Sequence, residues 1–196
     1  MNYDYVIFDV DGTLTDTGKT HIRWCNDQNK SGKYGLDKID ETDPLAVRRV
    51  LGTPMATIIK NYGFPDGEIE GLVERYENWF GKNDRYIASP FPGALELIYG
   101  LDKLRGGRGS FSMGLVSSNV AENIQRDLGC LDCFGEWVDK RRLDDEGWTK
   151  ADALKFMKNY DPSLLKVVYV GDTMKDFQAS KEAEIDYTHK KQSGGA

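Results

Sequence analysis

The sequence predicts an α/β protein, a Rossmann-like parallel sheet core with an inserted all-helical cap. Three observations favour this fold class. Short apolar runs rich in β-branched residues alternate with helical patterns, which is typical of βαβ units in a parallel sheet. Each of the three strongest runs stops at polar residues. More than 100 residues separate the first run from the second, far more than one crossover helix needs, so a segment is inserted there.

Five strands are predicted. Residues 5–8, 113–116 and 167–170 are continuously apolar, as expected where helices cover both faces of a sheet. Two weaker runs, 136–139 and 185–187, supply a fourth and a fifth strand. Ligands of open parallel sheets bind beyond the carboxyl ends of the strands. The polar residues that follow the first three strands are therefore expected to form one site.

The chain is expected to divide into an α/β core and a hinged helical cap. Residues 16–88 form the predicted cap, and residues 1–15 with 89–196 form the core. The glycine-rich stretch 105–110 lacks the Lys-Ser/Thr ending of a P-loop, so we expect a flexible loop there. The tail 192–196 is expected to be frayed.

Helix start signals recur within the predicted cap. Asp43 precedes Pro44, and Thr53 precedes Pro54, which in each case predicts an N-cap followed by a first helical residue. Asp66 is expected to cap a third helix, whose apolar residues recur at helical spacing. These signals predict three consecutive helices.

The composition argues against two classes of partner. Lys and Arg total 26 against 32 for Asp and Glu, a net charge of -6, so binding to nucleic acid or anionic membranes through bulk charge is not expected. No apolar run approaches the roughly 20 residues that span a bilayer, and the N-terminus does not resemble a signal peptide. Three cysteines build no disulfide framework. We expect a cytoplasmic monomer or weak homodimer.

Two pairs of carboxylates follow predicted strands. Asp9 and Asp11 come directly after the first strand, and Gly12 lets the chain turn sharply there. Asp172 and Asp176 come after the third strand. Gathering like charges is unfavourable without a cation, and oxygen ligands suit Mg²⁺. The four acids therefore predict a Mg²⁺ site.

These segments resemble the motifs of the haloacid dehalogenase superfamily. Residues 9–13 are similar to its DxDGT signature, residues 171–176 to its GDxxxD motif, and residues 116–118 to its second motif, an apolar strand that ends in Ser or Thr. Lys150 matches the lysine of the third motif in order and distance. The proline that usually follows that lysine is absent, so Lys140 and Lys155 are alternatives. The resemblance covers residues 5–188.

The resemblance implies a role for each matching residue. Asp9 would be the nucleophile that forms an aspartyl-phosphate, and Asp11 the general acid and then the general base. Ser117 and Lys150 would stabilise the transferring phosphoryl group. Backbone N–H groups after the second motif would help, which makes Ser118 and Asn119 expected substrate-binding residues.

The same resemblance implies the metal ligands. The carboxylates of Asp9 and Asp172 and the backbone carbonyl of Asp11 would bind Mg²⁺. Asp176 would act on the metal directly or through water.

Substrate recognition is expected in the cap. His21 lies in a stretch that resembles beta-phosphoglucomutase and its sugar-phosphatase relatives. Arg49, beside Arg48, lies where phosphoglycolate-phosphatase-like caps often carry a basic residue. We interpret His21 and Arg49 as substrate-binding residues, while the alternative is that both are structural or simply solvated.

The resulting hypothesis is a Mg²⁺-dependent phosphatase of small phosphomonoesters such as phosphoglycolate or a sugar phosphate. Asp11 favours phosphoryl transfer over dehalogenation, since dehalogenating members lack an aspartate at that position. One alternative is phosphoryl transfer to a sugar hydroxyl, as in beta-phosphoglucomutase. The other is a non-catalytic binding module on the same fold.

Overall fold

The computed structural model describes residues 3–30, 32–80, 82–104, 111–160 and 166–189. Residues 105–110 and 192–196, for which we expected a loop and a frayed tail, lie outside these ranges.

The chain divides into two compact units. The first, called the core unit, comprises residues 1–15 and 90–196, and the second, called the helical unit, comprises residues 16–89. The sequence placed residue 89 in the core. In the structure, the backbone N–H of Asp16 donates to the carbonyl of Ser89 at 2.9 Å. This bond ties Ser89 to the first residue of the helical unit.

The core unit contains a five-stranded parallel sheet with the strand order β3-β2-β1-β4-β5. All five predicted strands are present, which confirms the α/β class. Their bounds are β1 Tyr5–Phe8, β2 Ser112–Val116, β3 Glu136–Val138, β4 Val167–Gly171 and β5 Asp186–His189. Strand β1 is central because it pairs with both β2 and β4. The order places the ends of β1, β2 and β4 next to one another.

The described parts of both units also contain α-helices. Their bounds are α1 Thr17–Asn29, α2 Pro44–Val50, α3 Met55–Tyr62, α4 Ile69–Phe80, α5 Ala94–Asp102, α6 Ala121–Leu128, α7 Lys140–Glu146, α8 Lys150–Tyr160 and α9 Met174–Glu182. The core unit has two hydrophobic clusters, which contain alternate residues of β1: Ile7 belongs to one and Phe8 to the other. The inner strands β1, β2 and β4 are therefore covered on both faces, which explains their apolar runs, whereas the edge strand β5 is largely exposed.

The helical unit has a hydrophobic cluster of its own. Trp24, Ile59 and Leu72, from α1, α3 and α4, are almost fully buried in it. Gly18 allows α1 and α2 to approach closely, because a Cβ there would lie 2.8 Å from Cγ1 of Val47. The helices of this unit thus pack around a core of their own.

One of the three predicted helix caps is confirmed. Asp43 caps α2, and its carboxylate accepts from the N–H of Leu45 at 2.9 Å. The cap predicted at Thr53 is wrong, because its hydroxyl donates instead to the carbonyl of Arg49 at the end of α2, and α3 begins at Met55. The cap predicted at Asp66 is also wrong.

A short 3-10 turn explains the second error. This turn spans Asp66–Glu68 and precedes α4, which begins at Ile69. The Glu68 N–H donates to the carbonyl of Pro65 at 2.9 Å. The Asp66 carboxylate instead lies 3.6 Å from Nζ of Lys60.

Among the described residues, none of the helices combines the length and apolarity needed to span a bilayer.

Candidate active site

Asp9 lies at the carboxyl end of the central strand. Its backbone N–H donates to the carbonyl of Val170 at 2.9 Å, which continues the pairing between β1 and β4. Its side chain is buried, and Oδ1 accepts from Nζ of Lys150 at 2.9 Å. Lys150, the first residue of α8, also donates to Oδ1 of Asp176 at 2.7 Å. One ammonium group thus joins two buried carboxylates.

Asp176 is held by several donors. Its Oδ2 accepts from the N–H of Thr173 at 3.0 Å and from the Thr173 hydroxyl at 2.6 Å, which forms a capping box at the start of α9. Its Oδ1 accepts from the Tyr169 hydroxyl at 3.1 Å in addition to Lys150. Burial raises the pKa of Asp176, but Lys150 and Thr173 outweigh burial and lower it overall. Asp176 is therefore a rigid, ionised partner for Lys150.

Three carboxylates converge at this point. One oxygen each from Asp9, Asp172 and Asp176 lies within 4.8 Å of the other two. The Thr13 hydroxyl lies 3.5 Å from Oδ2 of Asp9 and 3.4 Å from Oδ1 of Asp172. Asp9, after β1, therefore meets both acids that follow β4. Asp11, the fourth acid of the predicted Mg²⁺ site, is not part of this group of side chains.

Two glycines make room for these acids. A Cβ on Gly12, whose φ is +82°, would lie 2.4 Å from Oδ2 of Asp172. A Cβ on Gly171 would lie 2.6 Å from Cβ of Asp176. Such distances are shorter than van der Waals contact, so both positions require glycine for close approach.

Burial dominates the acid–base properties of Asp9 and Asp11. It raises the pKa of Asp9 to about 7, although Lys150 favours the ionised form. It also raises the pKa of Asp11 to about 6, against the effect of a hydrogen bond from Asn119. Desolvation disfavours a charged carboxylate. Asp9 would therefore ionise more readily beside an added cation.

The second predicted motif follows β2 and lies close to Asp11. Nδ2 of Asn119 donates to Oδ1 of Asp11 at 3.3 Å. Ser117 is fully buried, and its Oγ accepts from the N–H of Asn119 at 3.0 Å. Ser118, by contrast, is exposed. The structure thus brings Asn119 next to Asp11, while Ser117 bonds to the backbone of Asn119.

The structure distinguishes the three lysines that match the third motif. Only Lys150 of the three contacts Asp9, since Lys140 pairs with Asp144 at 2.7 Å and Lys155 lies 3.7 Å from Asp152. The sequence favoured Lys150 by its order and distance but left the other two open, because the proline that usually follows the motif lysine is absent.

His21 and Arg49 belong to the helical unit. Nδ1 of His21 is 3.2 Å from the Tyr76 hydroxyl, and the two rings make an edge contact with centroids 5.7 Å apart. Burial lowers the pKa of His21 to about 4, so the ring is neutral near pH 7. Arg49 is exposed in the last turn of α2. Their predicted substrate contacts remain predictions.

Sequence reasoning missed three residues that bond to site residues or to the helices beside them. Tyr169 donates to Asp176, Asn123 donates to Asn119, and Asp139 accepts from backbone N–H groups at the starts of α6 and α7. Tyr169 lies within the buried strand β4, and its sequence position does not distinguish it from an ordinary core residue. Asn123 is a polar residue within α6 and has no motif of its own. Asp139 lies directly after β3 and directly before α7. An acid between a strand and a helix is the signal that could have identified it.

The residues present fit a divalent cation. Asp9 and Asp172 offer carboxylate oxygens close together, and the raised pKa of Asp9 indicates that its charge is only partly compensated by Lys150. Hard oxygen ligands of this kind favour Mg²⁺ over softer metals. The acidic cluster therefore suits Mg²⁺ chemically.

A buried carboxylate, its lysine partner and an acidic cluster lie at the carboxyl ends of the parallel strands. Ligands of open α/β sheets bind at that edge, so this arrangement is typical of an α/β enzyme. The family model for haloacid dehalogenase-like hydrolases matches residues 6–189. The chain belongs to this family, and is an enzyme of the hydrolase class. The family predicted from the motifs is confirmed.

The similar proteins include named phosphatases. A phosphoglycolate phosphatase of Synechococcus elongatus is 28% identical over 194 residues, which cover 92% of this chain and 80% of the relative. An N-acetylmuramic acid 6-phosphate phosphatase of Pseudomonas aeruginosa is 25% identical, with 93% and 79% covered. The structure of a hydrolase from Streptococcus pneumoniae TIGR4 matches with a TM-score of 0.67 at 18% identity, over 96% of this chain and 92% of that one. This structural match supports the fold.

Proposed function

We propose that this protein is a Mg²⁺-dependent phosphatase that hydrolyses small phosphomonoesters through an aspartyl-phosphate on Asp9. The observation that carries the proposal is the buried Asp9 carboxylate, held by Lys150 at 2.9 Å beside Asp172 and Asp176. A nucleophile needs a fixed position and a partner that favours its charged form. Lys150 provides both.

The proposed reaction has two steps. An oxygen of Asp9 attacks phosphorus while the bond to the ester oxygen breaks, and Asp11 gives its proton to that oxygen as the alcohol leaves. Water then attacks phosphorus, Asp11 accepts a proton from it, and the bond between Asp9 and phosphorus breaks. A carboxyl whose pKa is raised by burial to about 6 is suited to both tasks near neutral pH.

Asp9 and Asp172, with the backbone carbonyl of Asp11, would hold Mg²⁺. Asp176 would assist through water, since Lys150, Tyr169 and Thr173 already donate to its oxygens. Bound Mg²⁺ would neutralise charge on the phosphate and favour ionised Asp9. Lys150 and the hydroxyl of Ser117 would stabilise the equatorial phosphate oxygens.

The proposed substrates are small phosphate esters of alcohols. The phosphatases similar to this chain act, by their names, on phosphoglycolate and on N-acetylmuramic acid 6-phosphate. We propose that the helical unit acts as a cap that selects among such esters, with His21 and Arg49 as its recognition residues. Both esters have an alkoxide leaving group, which requires a proton donor such as Asp11.

The test is release of inorganic phosphate from both esters with Mg²⁺ and with EDTA. We expect Asp9→Asn and chelation each to lower kcat by at least about 1,000-fold. Asp145→Asn, the same change at an exposed position of α7, serves as the control and should retain wild-type activity. Wild-type turnover of Asp9→Asn would contradict the covalent mechanism. Conversion of a sugar phosphate to its isomer without phosphate release would instead support a mutase.

A further inference from the structure

Asn119 lies between helix α6 and the carboxylate of Asp11, and its backbone is held on both sides. Its N–H donates to Oγ of Ser117 at 3.0 Å, and its carbonyl accepts from the N–H of Lys140 at 2.9 Å. The Asn119 side chain thus extends toward Asp11 from a fixed backbone position.

Donors at the start of α6 set the orientation of the Asn119 amide. The backbone N–H of Val120 donates to Oδ1 of Asn119 at 2.9 Å, and Nδ2 of Asn123 donates to the same oxygen at 2.9 Å. A backbone N–H can only donate, so the carbonyl side of the amide must face α6. Nδ2 then necessarily faces Asp11, and lies 3.3 Å from its Oδ1.

This orientation distinguishes the two oxygens of Asp11. Oδ1 accepts a hydrogen bond from Asn119, so it cannot carry a proton pointing along the same line. We propose that Asn119 and Asn123 are positioning residues that leave Oδ2 of Asp11 as the oxygen that gives and takes the proton. The inference rests on the proposed function and adds to it which atom transfers the proton and which residues hold that atom in place.

The two steps balance at this atom. In the first, the bond from phosphorus to the ester oxygen breaks as a bond from Asp9 to phosphorus forms, and the proton moves from Oδ2 of Asp11 to the alcohol oxygen. In the second, a water oxygen bonds to phosphorus, its proton moves to Oδ2, and Asp9 is released as a carboxylate.

The test compares two leaving groups. Phosphoglycolate releases an alkoxide that needs a proton, whereas p-nitrophenyl phosphate releases a stable phenolate that needs little help. Asn123→Asp replaces the Nδ2 donor by an acceptor, which attracts Nδ2 of Asn119 away from Asp11. We expect kcat/KM to fall about tenfold or more for phosphoglycolate and by less than about threefold for p-nitrophenyl phosphate. Asn123→Ala should show the same selectivity more weakly, because alanine removes the donor without adding an acceptor and Val120 still donates to Oδ1 of Asn119.

Gln125→Glu is the matched control. It adds the same charge on the same helix and keeps an oxygen that accepts from the N–H of Leu131, so both rates should stay close to wild type. An equal loss on both esters in Asn123→Asp would mean that Asn123 is merely structural, and no loss would mean that it has no role. Either result would overturn the inference. A wild-type protein that hydrolyses neither ester would instead contradict the proposed function.

A measurement on the metal-free protein tests the inference without turnover. The Asn119 side-chain amide, assigned by its disappearance in Asn119→Ser, should show slow solvent exchange in ¹H–¹⁵N spectra of wild type and Gln125→Glu. In Asn123→Asp the exchange should be several-fold faster and the shifts changed. Unchanged spectra would show that Asn123 does not orient the amide.

Discussion

At the scale of single residues, close approach at two glycines decides how near the acids come to one another. Gly12 combines a positive φ with a backbone that faces the Asp172 carboxylate. A Cβ on Gly171 would lie 2.6 Å from Cβ of Asp176. A methyl group at either position would have to displace a carboxylate of the cluster, so these glycines are part of the geometry of the site.

Gly12→Ala tests this reading. We expect it to lower kcat by at least about 100-fold and to weaken Mg²⁺ binding, because a 1 Å displacement of a site group has effects of that size. Mg²⁺ affinity can be measured by titration calorimetry. Gly129→Ala is the control: its φ is +71°, but a Cβ there meets no atom within 4 Å. Equal loss of activity in both variants would indicate backbone strain rather than contact with Asp172.

His21 makes the stability of the protein depend on pH. Its pKa is lowered to about 4 by burial, whereas an unfolded histidine has a pKa of about 6.5. The unfolded state therefore binds the proton first, and the free energy of unfolding falls as pH decreases from about 6.5 toward 4. Near pH 5 the expected loss in the free energy of unfolding is about 1–2 kcal/mol, because the ring is partly exposed.

Urea unfolding of wild type and His21→Gln at pH 7.5 and pH 5.0 measures this effect. We expect wild type to lose about 1–2 kcal/mol more than the variant between the two pH values. The carboxylates titrate in both proteins, so their effect cancels in the comparison. An equal loss in both proteins would show that His21 is protonated in the folded state.

Residue chemistry predicted part of the site and left part of it open. Asp9, Asp11, Asp172 and Asp176 follow strands, so the topology alone brings them to one edge of the sheet. Lys150 was harder to identify, because a lysine at the start of a helix resembles any solvated lysine until the fold places it beside Asp9. The contact of Asn123 with Asn119 joins a helical side chain to a residue just before the helix, and such contacts carry no distinctive sequence signal.

At the scale of elements, Asp139 links the starts of two helices. Its Oδ2 accepts from the N–H of Ala121 at the start of α6, and its Oδ1 accepts from the N–H of Arg142 in the first turn of α7. The carboxylate is buried and thereby satisfies two N–H groups that the helices leave without an internal partner. It also fixes the start of α6, the helix that carries Asn123.

Asp139→Ala removes both interactions. Each helix N-cap contributes about 1 kcal/mol, so we expect a loss of about 2 kcal/mol or more in the free energy of unfolding. Asp43→Ala is the control, because Asp43 is exposed and caps α2 alone, and it should cost about 1 kcal/mol. Denaturant titration measures both. If Asp139→Ala is as stable as Asp43→Ala, or more stable, Asp139 does not stabilise the starts of both helices.

Elements differ in how far the sequence determines them. Strands β1, β2 and β4 were predictable because continuous apolar runs of this length are typical of a sheet covered on both faces. The helix starts at Thr53 and Asp66 were not, since both residues are good caps but have other partners nearby. Thr53 bonds back to α2, and Asp66 opens a 3-10 turn. The capping preference of such a residue is overridden when neighbouring elements offer its side chain another partner.

At the scale of the whole molecule, the net charge of -6 conceals the chemistry of the site. Several acids converge at the strand ends, where Lys150 pairs with two of them. A bound divalent cation would reverse the local sign. An acidic protein can in this way bind an anionic ester, and bulk charge is a poor guide to its ligand.

The two units are organised so that the core unit should fold without the helical unit. All described members of the two core clusters lie outside residues 16–89, and so do all five strands. The ends of the insertion meet: Thr15 pairs with Pro90 in an antiparallel bridge, and the N–H of Phe91 donates to the carbonyl of Leu14 at 2.9 Å. A short linker can therefore replace the insertion without stretching the chain.

We expect a variant in which a four-residue Gly-Ser linker replaces residues 16–89 to give a dispersed ¹H–¹⁵N spectrum and cooperative unfolding. The acids of the cluster all belong to the core unit, so Mg²⁺ should still raise its melting temperature, as binding to the folded state alone requires. The rate of phosphoglycolate hydrolysis should fall much further than that of p-nitrophenyl phosphate hydrolysis, because the proposed recognition residues of the helical unit are removed. The same linker inserted between residues 15 and 16 of the full chain is the control. A collapsed state without fixed side-chain packing would show that the core unit depends on the helical unit for its structure.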